Sequence, residues 1–348
     1  MSLYGKNLIC TQDWEKNELL TLLNTAIAMK ADRFNLKWAN LFQHKNFLMM
    51  FYSPSVRTHL SFTAAATELG GHAQYLAPTS MSKLKSKTSA GETIEDAANV
   101  MSQFMAGIGI RIMESSLSAY GEGHQLIREY AKHAKVPIIN MADDVCHPCQ
   151  SLADLLGWAE WFSSDLKAIN FNNLKRKKLL VTWARGSLAR SWNSPQGSML
   201  LASRFGMDIT LARPDGYDMD LALYEQIKQN CQDNGSQFNI VNDPISGYEG
   251  ANIVYSRNWI SPDAYQQGEF SKDNEINKAL NYEDWITTEE KMMRTDDAIF
   301  THPMPIDRGS EVEDAVASGE RSIIYNVASN RLHVQKSIIA HTMGFQMD

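Results

Sequence analysis

The sequence predicts an α/β protein with two domains, each a mostly parallel sheet with helices on both faces. Three observations support this prediction. The chain has 348 residues, which is more than one typical hydrophobic core contains. Short apolar runs alternate with stretches of helical periodicity, first over residues 13–162 and again over residues 179–343. A polar stretch at residues 163–178 precedes the second series.

The first series alternates strands and helices, an order that favours parallel strands joined by covering helices. A first helix is predicted at residues 13–33, because apolar residues recur there at helical spacing, with Thr11 or Asp13 as its cap. The remaining elements are a strand at 47–52, a helix that contains Arg57 and stops near 70–71, a helix at 93–105, a strand at 108–112, a helix at 125–133 and a strand at 136–141.

The second series follows a helix predicted at residues 151–162. We place the domain boundary near residue 150, with domains at 1–150 and 151–330. The polar stretch 258–282 has no clear period, and a loop of that length is usually functional or mobile. The other predicted elements are strands at 179–184, 208–212, 238–241, 252–256 and 298–301, a helix at 195–205 and a last helix at 331–343.

The composition is that of a soluble globular protein. The formal net charge is −7, which argues against a nucleic-acid or membrane surface as partner. An apolar run of about 20 residues, the length that crosses a bilayer, is not present in the sequence. The first ten residues lack the pattern of a secretory signal. We therefore expect a cytoplasmic protein whose anionic small substrate is bound in a local cationic pocket.

The chain has four cysteines, too few for a disulfide framework in a protein of this length. This number suits a reducing cytosol. Cys146 and Cys149 form a C-x-x-C string, so a redox or metal site is an alternative interpretation. A zinc site would need a second ligand pair, and Cys10 and Cys231 lie in unrelated sequence contexts.

The string FYSPSVRTHLSF, residues 51–62, has the features of a phosphate site. An apolar run ends in Ser-Pro-Ser and a helix follows, whose first backbone N–H groups have no partner within the helix. Ser55 and Thr58 add hydroxyl donors, and the guanidinium of Arg57 can bind a phosphate through two parallel hydrogen bonds. An ordinary capped helix with Arg57 on a solvated face is the alternative.

Four further strings follow in order: GIGIR ending at Arg111, HPCQ beginning at His147, THPMPIDRGSEV at 301–312, and SNRLH around Arg331. With Ser55 to Thr58, they make the sequence resemble the aspartate/ornithine carbamoyltransferase family nearly end to end. The resemblance implies transfer of the carbamoyl group of carbamoyl phosphate to an amine, with release of phosphate and with no cofactor or metal. It also implies that residues 331–348 pack back on the first domain.

The resemblance implies roles for the residues that match the family's motifs. Each also has a structural alternative; a lone His147, for example, is more often a satisfied core imidazole. The implied catalytic residues are Arg57, Thr58, Arg111, His147 and Gln150. The implied carbamoyl phosphate-binding residues are Ser55, Val56, Arg57, Thr58, Arg111, His147, Gln150, Pro303, Met304 and Arg331.

The resemblance implies a homotrimer in which a neighbouring subunit inserts a basic loop into the site; an ordinary solvated loop is the alternative. Lys83 or Lys85 would supply that charge, because Ala90 stands where the family has Lys or Arg. His59 likewise replaces a family arginine. These two departures motivate an alternative, a non-catalytic paralogue that binds carbamoyl phosphate.

The acceptor is indicated by Tyr-Ser-Arg-Asn-Trp at residues 255–259, which resembles the Lys-Ser-Trp or Lys-Asn-Trp string of N-acetylornithine and N-succinylornithine carbamoyltransferases. The Asp-x-x-x-Ser-Met-Gly string of ornithine enzymes is missing. The expected acceptor is ornithine or an N-acylated ornithine-like amine, as in arginine metabolism, with an aspartate-type enzyme as the alternative. The implied acceptor-binding residues are Asn140, Asp143, Arg257 and Glu311.

Overall fold

Residues 2–78, 92–165, 168–265 and 270–344 are described by a computed structural model of the chain. Contacts between residues divide the chain into two compact units. Unit 1 comprises Met1–Cys149 and Asn330–Asp348, and unit 2 comprises Gln150–Ser329. The loop lysines Lys83 and Lys85 lie outside the described residues.

Unit 1 is built on a four-stranded sheet in which every strand pairing is parallel. Its order is β2-β1-β3-β4, with β1 at Asn46–Phe51, β2 at His72–Leu76, β3 at Gly107–Arg111 and β4 at Ile138–Ala142. The accompanying helices are α1 (Lys16–Ala31), α2 (Leu36–Ala39), α3 (Val56–Glu68), α4 (Ile94–Phe104) and α5 (Glu122–His133). Central strands of a covered parallel sheet are apolar along their whole length. The strand β1 follows this rule, since five of its six residues are buried.

The helix α3 is held against the sheet by aromatic packing and ends at a glycine pair. The ring of Phe62 on α3 stacks on that of Phe47 on β1, with centroids 5.3 Å apart. Gly70 has a φ of +87°, and a Cβ at this position would come within 2.0 Å of the carbonyl oxygen of Ala39. A residue without a side chain is therefore required at this turn, and β2 follows it.

Unit 2 is built on a five-stranded sheet, also with parallel pairings only. Two helices run between the units along the chain: α6 (Pro148–Trp161) leads into unit 2, and α12 (Ile324–Met343) leads back into unit 1. The order of the sheet is β7-β6-β5-β8-β9, with β5 at Lys178–Trp183, β6 at Asp208–Ala212, β7 at Phe238–Val241, β8 at Ile253–Arg257 and β9 at Ile299–Thr301. The other helices are α7 (Asn193–Arg204), α8 (Leu221–Asn234), α9 (Lys272–Ala279), α10 (Glu289–Met292) and α11 (Asp314–Ser318). The predicted α/β class with two parallel sheets is confirmed.

Three predictions about helices are wrong. The cap of α1 is Glu15, whose N–H bonds to the carboxylate of Glu18 at 2.9 Å, and residues 11–13 form a separate 3₁₀ turn. The last helix begins seven residues earlier than predicted, because Ile324 and Val327 are buried on it. Residues 258–282 contain the helix α9, which is mostly polar and therefore lacks the apolar periodicity that predicts a helix.

The helix α9 is anchored by one buried carboxylate rather than by an apolar face. Glu275 accepts hydrogen bonds from the backbone N–H and the hydroxyl of Ser261 and pairs with Lys278 at 3.1 Å. The helix α8 and the strand β2 were also not predicted, since both are largely exposed and polar. Within the described ranges, no helix is both long and apolar enough to cross a membrane.

Candidate active site

The first turn of α3 in unit 1 is the centre of the candidate site. Ser55 is its N-cap: the Ser55 hydroxyl oxygen accepts from the Thr58 N–H at 3.4 Å and donates to the Thr58 hydroxyl oxygen at 3.1 Å. Thr58 is fully buried, whereas Val56 and Arg57 are exposed. The helix terminus carries orphan N–H groups and the positive end of the helix dipole. This turn therefore attracts an anion.

Two further arginines of unit 1 are brought to this turn. Arg331 on α12 donates from Nη2 to the hydroxyl oxygen of Thr58 at 2.8 Å and is only 4% exposed. Among the described residues, the Thr58 hydroxyl accepts two hydrogen bonds and donates none, so its proton is available for a ligand. Arg111 ends β3 beside Phe51 of β1, and its Nε is buried with no hydrogen-bond partner in the described part of the chain.

The three guanidinium groups repel one another. Burial, together with the charge of Arg331 and a smaller effect of Arg57, lowers the pKa of Arg111 to about 10, while the carboxylate of Glu114 acts in the opposite direction. Arg111 therefore stays charged at neutral pH, at an electrostatic cost. A doubly charged anion bound at this turn would remove the cost, which is the physical basis for a phosphate site.

His147 and Gln150 lie on either side of the start of α6. His147 belongs to unit 1 and is buried. Gln150 belongs to unit 2, and its Nε2 donates to Asp154 Oδ1 at 2.9 Å. Asp154 also accepts from the hydroxyl of Ser198 at 2.7 Å, so the Gln150 amide is oriented by a buried carboxylate. The roles implied for both residues stay predictions.

The fully buried carboxylate of Asp143 holds the segment before His147 through hydrogen bonds. Its carboxylate accepts from the backbone N–H groups of Val145 at 2.8 Å and Cys146 at 2.5 Å. It also accepts from the amide of Asn140 at 2.9 Å and lies 2.7 Å from Nδ1 of His124. Four neighbours thus engage the carboxylate within unit 1, and the acceptor-binding roles of Asn140 and Asp143 stay predictions.

Unit 2 contains a second charged cluster, centred on the fully buried carboxylate of Glu311. Arg190 donates to it from Nη1 at 2.7 Å, and the backbone N–H groups of Asn258 and Asp307 donate at 2.7 and 2.8 Å. Arg257 lies 7% exposed in the same unit and donates from Nη1 to the carbonyl of Pro305 at 3.2 Å. Two buried arginines and the buried carboxylate of Glu311 thus lie together in unit 2.

The neighbours of Glu311 act on its ionisation. Burial raises the pKa of Glu311, but His302 and the charges of Arg190 and Arg257 outweigh burial and hold this pKa well below its usual range. Nη2 of Arg190 is buried with no hydrogen-bond partner among the described residues. A ligand carboxylate at this place would satisfy this donor.

His302 is held neutral in the Glu311 cluster. Its Nδ1 accepts from the N–H of Met304 at 2.9 Å, so the ring proton lies on Nε2, 3.2 Å from Glu311 Oε2. Burial is the main cause that lowers the pKa of His302 to about 4. Met304 has a φ of +60°, a left-handed conformation that is costly for a side chain of this size, and Pro303 is buried.

Stability is expected to depend on pH through His302. The unfolded chain binds a proton near pH 6.5 and the folded chain only near pH 4, so stability falls as pH drops through this window. The His302→Gln variant cannot titrate here. The free energy of unfolding of the wild type, relative to this variant, should fall by up to about 3 kcal/mol between pH 7 and pH 4. Urea titrations at several pH values measure this, and a constant difference would contradict the burial of a neutral imidazole.

Sequence reasoning missed Arg190, His302 and His124 as members of these clusters. Arg190 and Glu311 are 121 residues apart in sequence, and no local spacing reports such a pairing. One signal in the sequence could have indicated Arg190. Arg185 and Arg190 follow the central strand β5, and loops at the carboxyl ends of parallel strands commonly bind ligands. Within the described ranges, no group of three or more His, Cys, Asp or Glu side chains could hold a metal ion.

The two parallel-sheet units and the arginine-lined helix terminus define an α/β protein adapted to a small anion. Comparison with protein families then matches both units. Residues 6–160 match the carbamoyl-P binding domain of aspartate/ornithine carbamoyltransferase, and residues 188–342 match its Asp/Orn binding domain.

Individual relatives match along nearly the whole chain. The anabolic ornithine carbamoyltransferase of Pyrococcus furiosus is 31% identical, over 99% of this chain and 98% of the relative. The N-acetylornithine carbamoyltransferase of Xylella fastidiosa strain Temecula1 is 32% identical, over 96% of this chain and 98% of the relative. A solved acetylornithine transcarbamylase complexed with acetylcitrulline superimposes with a TM-score of 0.86 at 29% identity, covering 98% of this chain and 100% of that one. The chain belongs to the aspartate/ornithine carbamoyltransferase family.

Proposed function

We propose that this protein transfers the carbamoyl group of carbamoyl phosphate to the side-chain amine of ornithine or an N-acylated ornithine and releases phosphate, a reaction of arginine metabolism. The observation that carries the proposal is the meeting of Arg331 and Thr58, 273 residues apart in sequence, at the helix terminus that Arg57 and Arg111 also charge. Family membership and relatives of both acceptor types support it.

The chemistry needs three kinds of help from the protein. The leaving phosphate is stabilised by the helix N-terminus and by Arg57 and Arg331. The carbonyl oxygen becomes negative when the amine attacks, and donors from Thr58, Arg111 and His147 stabilise that charge. The amine must be neutral when it attacks. The new N–C bond forms, the C–O bond to phosphate then breaks, and the proton lost by the attacking nitrogen leaves with the phosphate. Gln150, Pro303 and Met304 complete the proposed carbamoyl phosphate contacts, and the Ser55 cap and Val56 N–H hold the phosphate.

The acceptor is proposed to bind through the charged cluster of unit 2. Arg190 and Arg257 are buried, and Nη2 of Arg190 has no hydrogen-bond partner among the described residues, so the cluster favours a carboxylate ligand. The guanidinium fork of Arg257 suits bidentate binding of the acceptor's α-carboxylate. An N-acyl group on the acceptor removes the charge of the α-amino group. Such an acceptor presents no α-ammonium to this positive region, which favours it over free ornithine.

The function is tested by incubating the protein with carbamoyl phosphate and one amine at a time. The panel is ornithine, N-acetylornithine, N-succinylornithine and aspartate, and the measurements are released phosphate and the ureido product. We expect turnover with at least one ornithine-type amine and the highest kcat/KM with an N-acylated one. Binding of carbamoyl phosphate without any turnover would indicate a non-catalytic paralogue. Turnover with aspartate alone would contradict the acceptor assignment.

Arg257→Gln is expected to act on the acceptor and not on carbamoyl phosphate. Losing a charge-assisted contact should lower kcat/KM for the acceptor by about 10- to 100-fold. The dissociation constant of carbamoyl phosphate, measured by calorimetry, should stay within about twofold. Arg294→Gln is the matched control, because Arg294 lies 43% exposed and makes only surface ion pairs. An unchanged kcat/KM for Arg257→Gln would contradict its role.

A homotrimer is part of the proposal. Val56 and Leu60, one turn apart on α3, are 74% and 63% exposed. Tyr75 on the edge strand β2 is 38% exposed, and its ring lies 4.9 Å from that of His59. An apolar surface of this kind marks a protein contact.

The trimer is tested by light scattering. We expect a mass of three chains for the wild type and a smaller mass for Leu60→Glu. A monomeric wild type would contradict the trimer. The insertion of Lys83 or Lys85 into a neighbouring site belongs to the same proposal.

A cytoplasmic location is the last part of the proposal. All four cysteines are buried and none forms a disulfide, which suits a reducing compartment. Carbamoyl phosphate and ornithine-type amines are small charged molecules that do not diffuse through bilayers. Fractionation of the source cells is expected to place the protein with cytoplasmic markers.

A further inference from the structure

Two of the four cysteines meet inside unit 1. Cys10 precedes the 3₁₀ turn at Thr11–Asp13, and Cys146 directly precedes His147. Their sulfur atoms lie 2.7 Å apart, although the residues are 136 positions apart in sequence. Cys10 is 6% exposed and Cys146 is 2% exposed. The two thiols are thus within reach of a covalent bond, which would be about 2.05 Å long.

Backbone hydrogen bonds, and not the sulfur atoms, bring the two cysteines together. The N-terminal segment runs alongside β4: the N–H of Leu8 donates to the carbonyl of Ile138 at 2.9 Å, and that of Asn140 donates to the carbonyl of Leu8 at 2.8 Å. The amide of Asn140 then bridges the two segments, donating to the carbonyls of Ile9 at 2.8 Å and Cys146 at 3.3 Å. The approach of the sulfurs is therefore a built feature of unit 1.

The other two cysteines have different surroundings. The thiol of Cys149 donates to the carbonyl of Asn140 at 3.7 Å. Cys231 lies on α8 in unit 2. The partner of Cys146 is thus Cys10 and not the other cysteine of the C-x-x-C string.

Charged groups surround the two sulfurs and distinguish them. A hydrogen bond from Cys146 is the main cause that lowers the pKa of Cys10; His124 acts in the same direction, and burial and Asp13 oppose it. The same bond, with burial and the carboxylates of Asp143 and Asp13, raises the pKa of Cys146. Arg128 lies near the pair as well, and both cysteines act on the pKa of its guanidinium. Nη2 of Arg128 lies 2.9 Å from Oδ1 of Asp13. The hydrogen bond from Cys146 to Cys10 therefore favours the thiolate form of Cys10 and the protonated form of Cys146.

We propose that Cys10 and Cys146 form an oxidative modification site, at which a hydroperoxide converts the dithiol into an intramolecular disulfide. Ile9 and Asp13, which are close to Cys10 in sequence, and Arg128 line part of a surface depression, and the oxidant would reach the 6% exposed Cys10 from this side. Small thiols reverse the reaction by thiol–disulfide exchange. The proposal is independent of carbamoyl transfer, because none of these residues needs a substrate to react.

The reaction balances in two steps. The Cys10 thiolate attacks the terminal peroxide oxygen, the O–O bond breaks, and the alkoxide that leaves takes up a proton, so that Cys10 becomes a sulfenic acid. The Cys146 sulfur then attacks the Cys10 sulfur, the S–O bond breaks, and hydroxide leaves with the Cys146 proton as water. Two thiols lose two electrons and two protons, and the hydroperoxide is reduced to an alcohol and water.

The disulfide would tie the N-terminal segment to the turn that precedes His147. It closes a loop of more than 100 residues within unit 1, and cross-links that close long loops restrict the unfolded chain strongly. Oxidation is therefore expected to raise the midpoint of thermal unfolding by about 5 °C or more. Reduction should return the midpoint to its starting value.

The test treats the reduced full-length protein with hydrogen peroxide and then alkylates it in denaturant. Mass spectrometry should find two of the four cysteines protected from alkylation and a peptide that joins Cys10 to Cys146. Cys10→Ser and Cys146→Ser should abolish both the cross-link and the rise in the thermal midpoint. Cys149→Ser and Cys231→Ser are the matched controls and should keep both.

Peptide mapping is done on the wild type, so the proposal can be tested even if a Cys→Ser variant folds poorly. Four alkylated cysteines after peroxide treatment would overturn the proposal. A cross-link between Cys146 and Cys149, or only between chains, would also overturn it. None of these measurements uses carbamoyl phosphate, so their failure is distinct from a failure of the proposed transferase activity.

Discussion

Arg331→Met is expected to weaken the binding of carbamoyl phosphate by about two orders of magnitude. The variant removes a buried cation, and a charge-assisted hydrogen bond contributes about 1.5–3 kcal/mol, or roughly 10- to 150-fold in affinity. It also removes the donor that bonds the hydroxyl of Thr58 at 2.8 Å, so the Thr58 proton is no longer directed to a ligand. Calorimetric titration with carbamoyl phosphate measures the change.

Two control variants sharpen the Arg331 experiment. Arg331→Lys keeps the charge but loses the planar fork, so we expect a loss of about tenfold. Arg321→Met makes the same substitution at a residue 50% exposed, whose partner Asp297 is on the surface, and should bind as the wild type does. Arg331→Met binding within twofold of the wild type would refute the site at the helix terminus.

Glu311→Gln is expected to destabilise unit 2 by about 3–5 kcal/mol, the cost of leaving a buried cation without its partner. Its carboxylate is fully buried and is bonded by Arg190 and by two backbone N–H groups, while Arg257 and His302 lie within electrostatic range. An amide accepts fewer of these bonds and neutralises no charge. Denaturant unfolding, followed by the tryptophan fluorescence of the protein, measures the loss.

The matched control is Asp314→Asn, because its ion pair with Arg308 is exposed and exposed pairs contribute little. We expect no measurable change in its unfolding midpoint. A variant as stable as the wild type would show that Arg190 and Arg257 do not depend on this carboxylate.

The sequence was a good guide to the part of the candidate site that is local in the chain. The strand at 46–51, the Ser-Pro-Ser turn and the start of α3 follow from burial, proline and hydroxyl caps, each of which acts within a few residues. The placement of Ser55 and Thr58 at one helix terminus was therefore predictable. The family motifs added Arg111 and Arg331 by resemblance alone.

The sequence was a poor guide where polar contacts replace apolar periodicity. The helix α9 lies in a stretch predicted to be a loop, because a single buried carboxylate, Glu275, anchors it. The contacts of Asp143 were not predicted either: its carboxylate engages four groups of its own unit, among them His124. Hydrogen bonds of this kind depend on orientation in space and leave no repeat in the sequence.

The amino-acid sequence by itself determined the alternation of buried strands with helices and the helix terminus at Ser55, because hydrophobic spacing and capping act within a few residues. Only the tertiary structure decided that Arg331 bonds Thr58, that Arg190 pairs with Glu311, and that Cys10 meets Cys146. Each of these pairs joins positions more than 100 residues apart. Their meeting depends on how strands and helices pack, since the energy of a contact is a function of distance in space and not of distance along the chain.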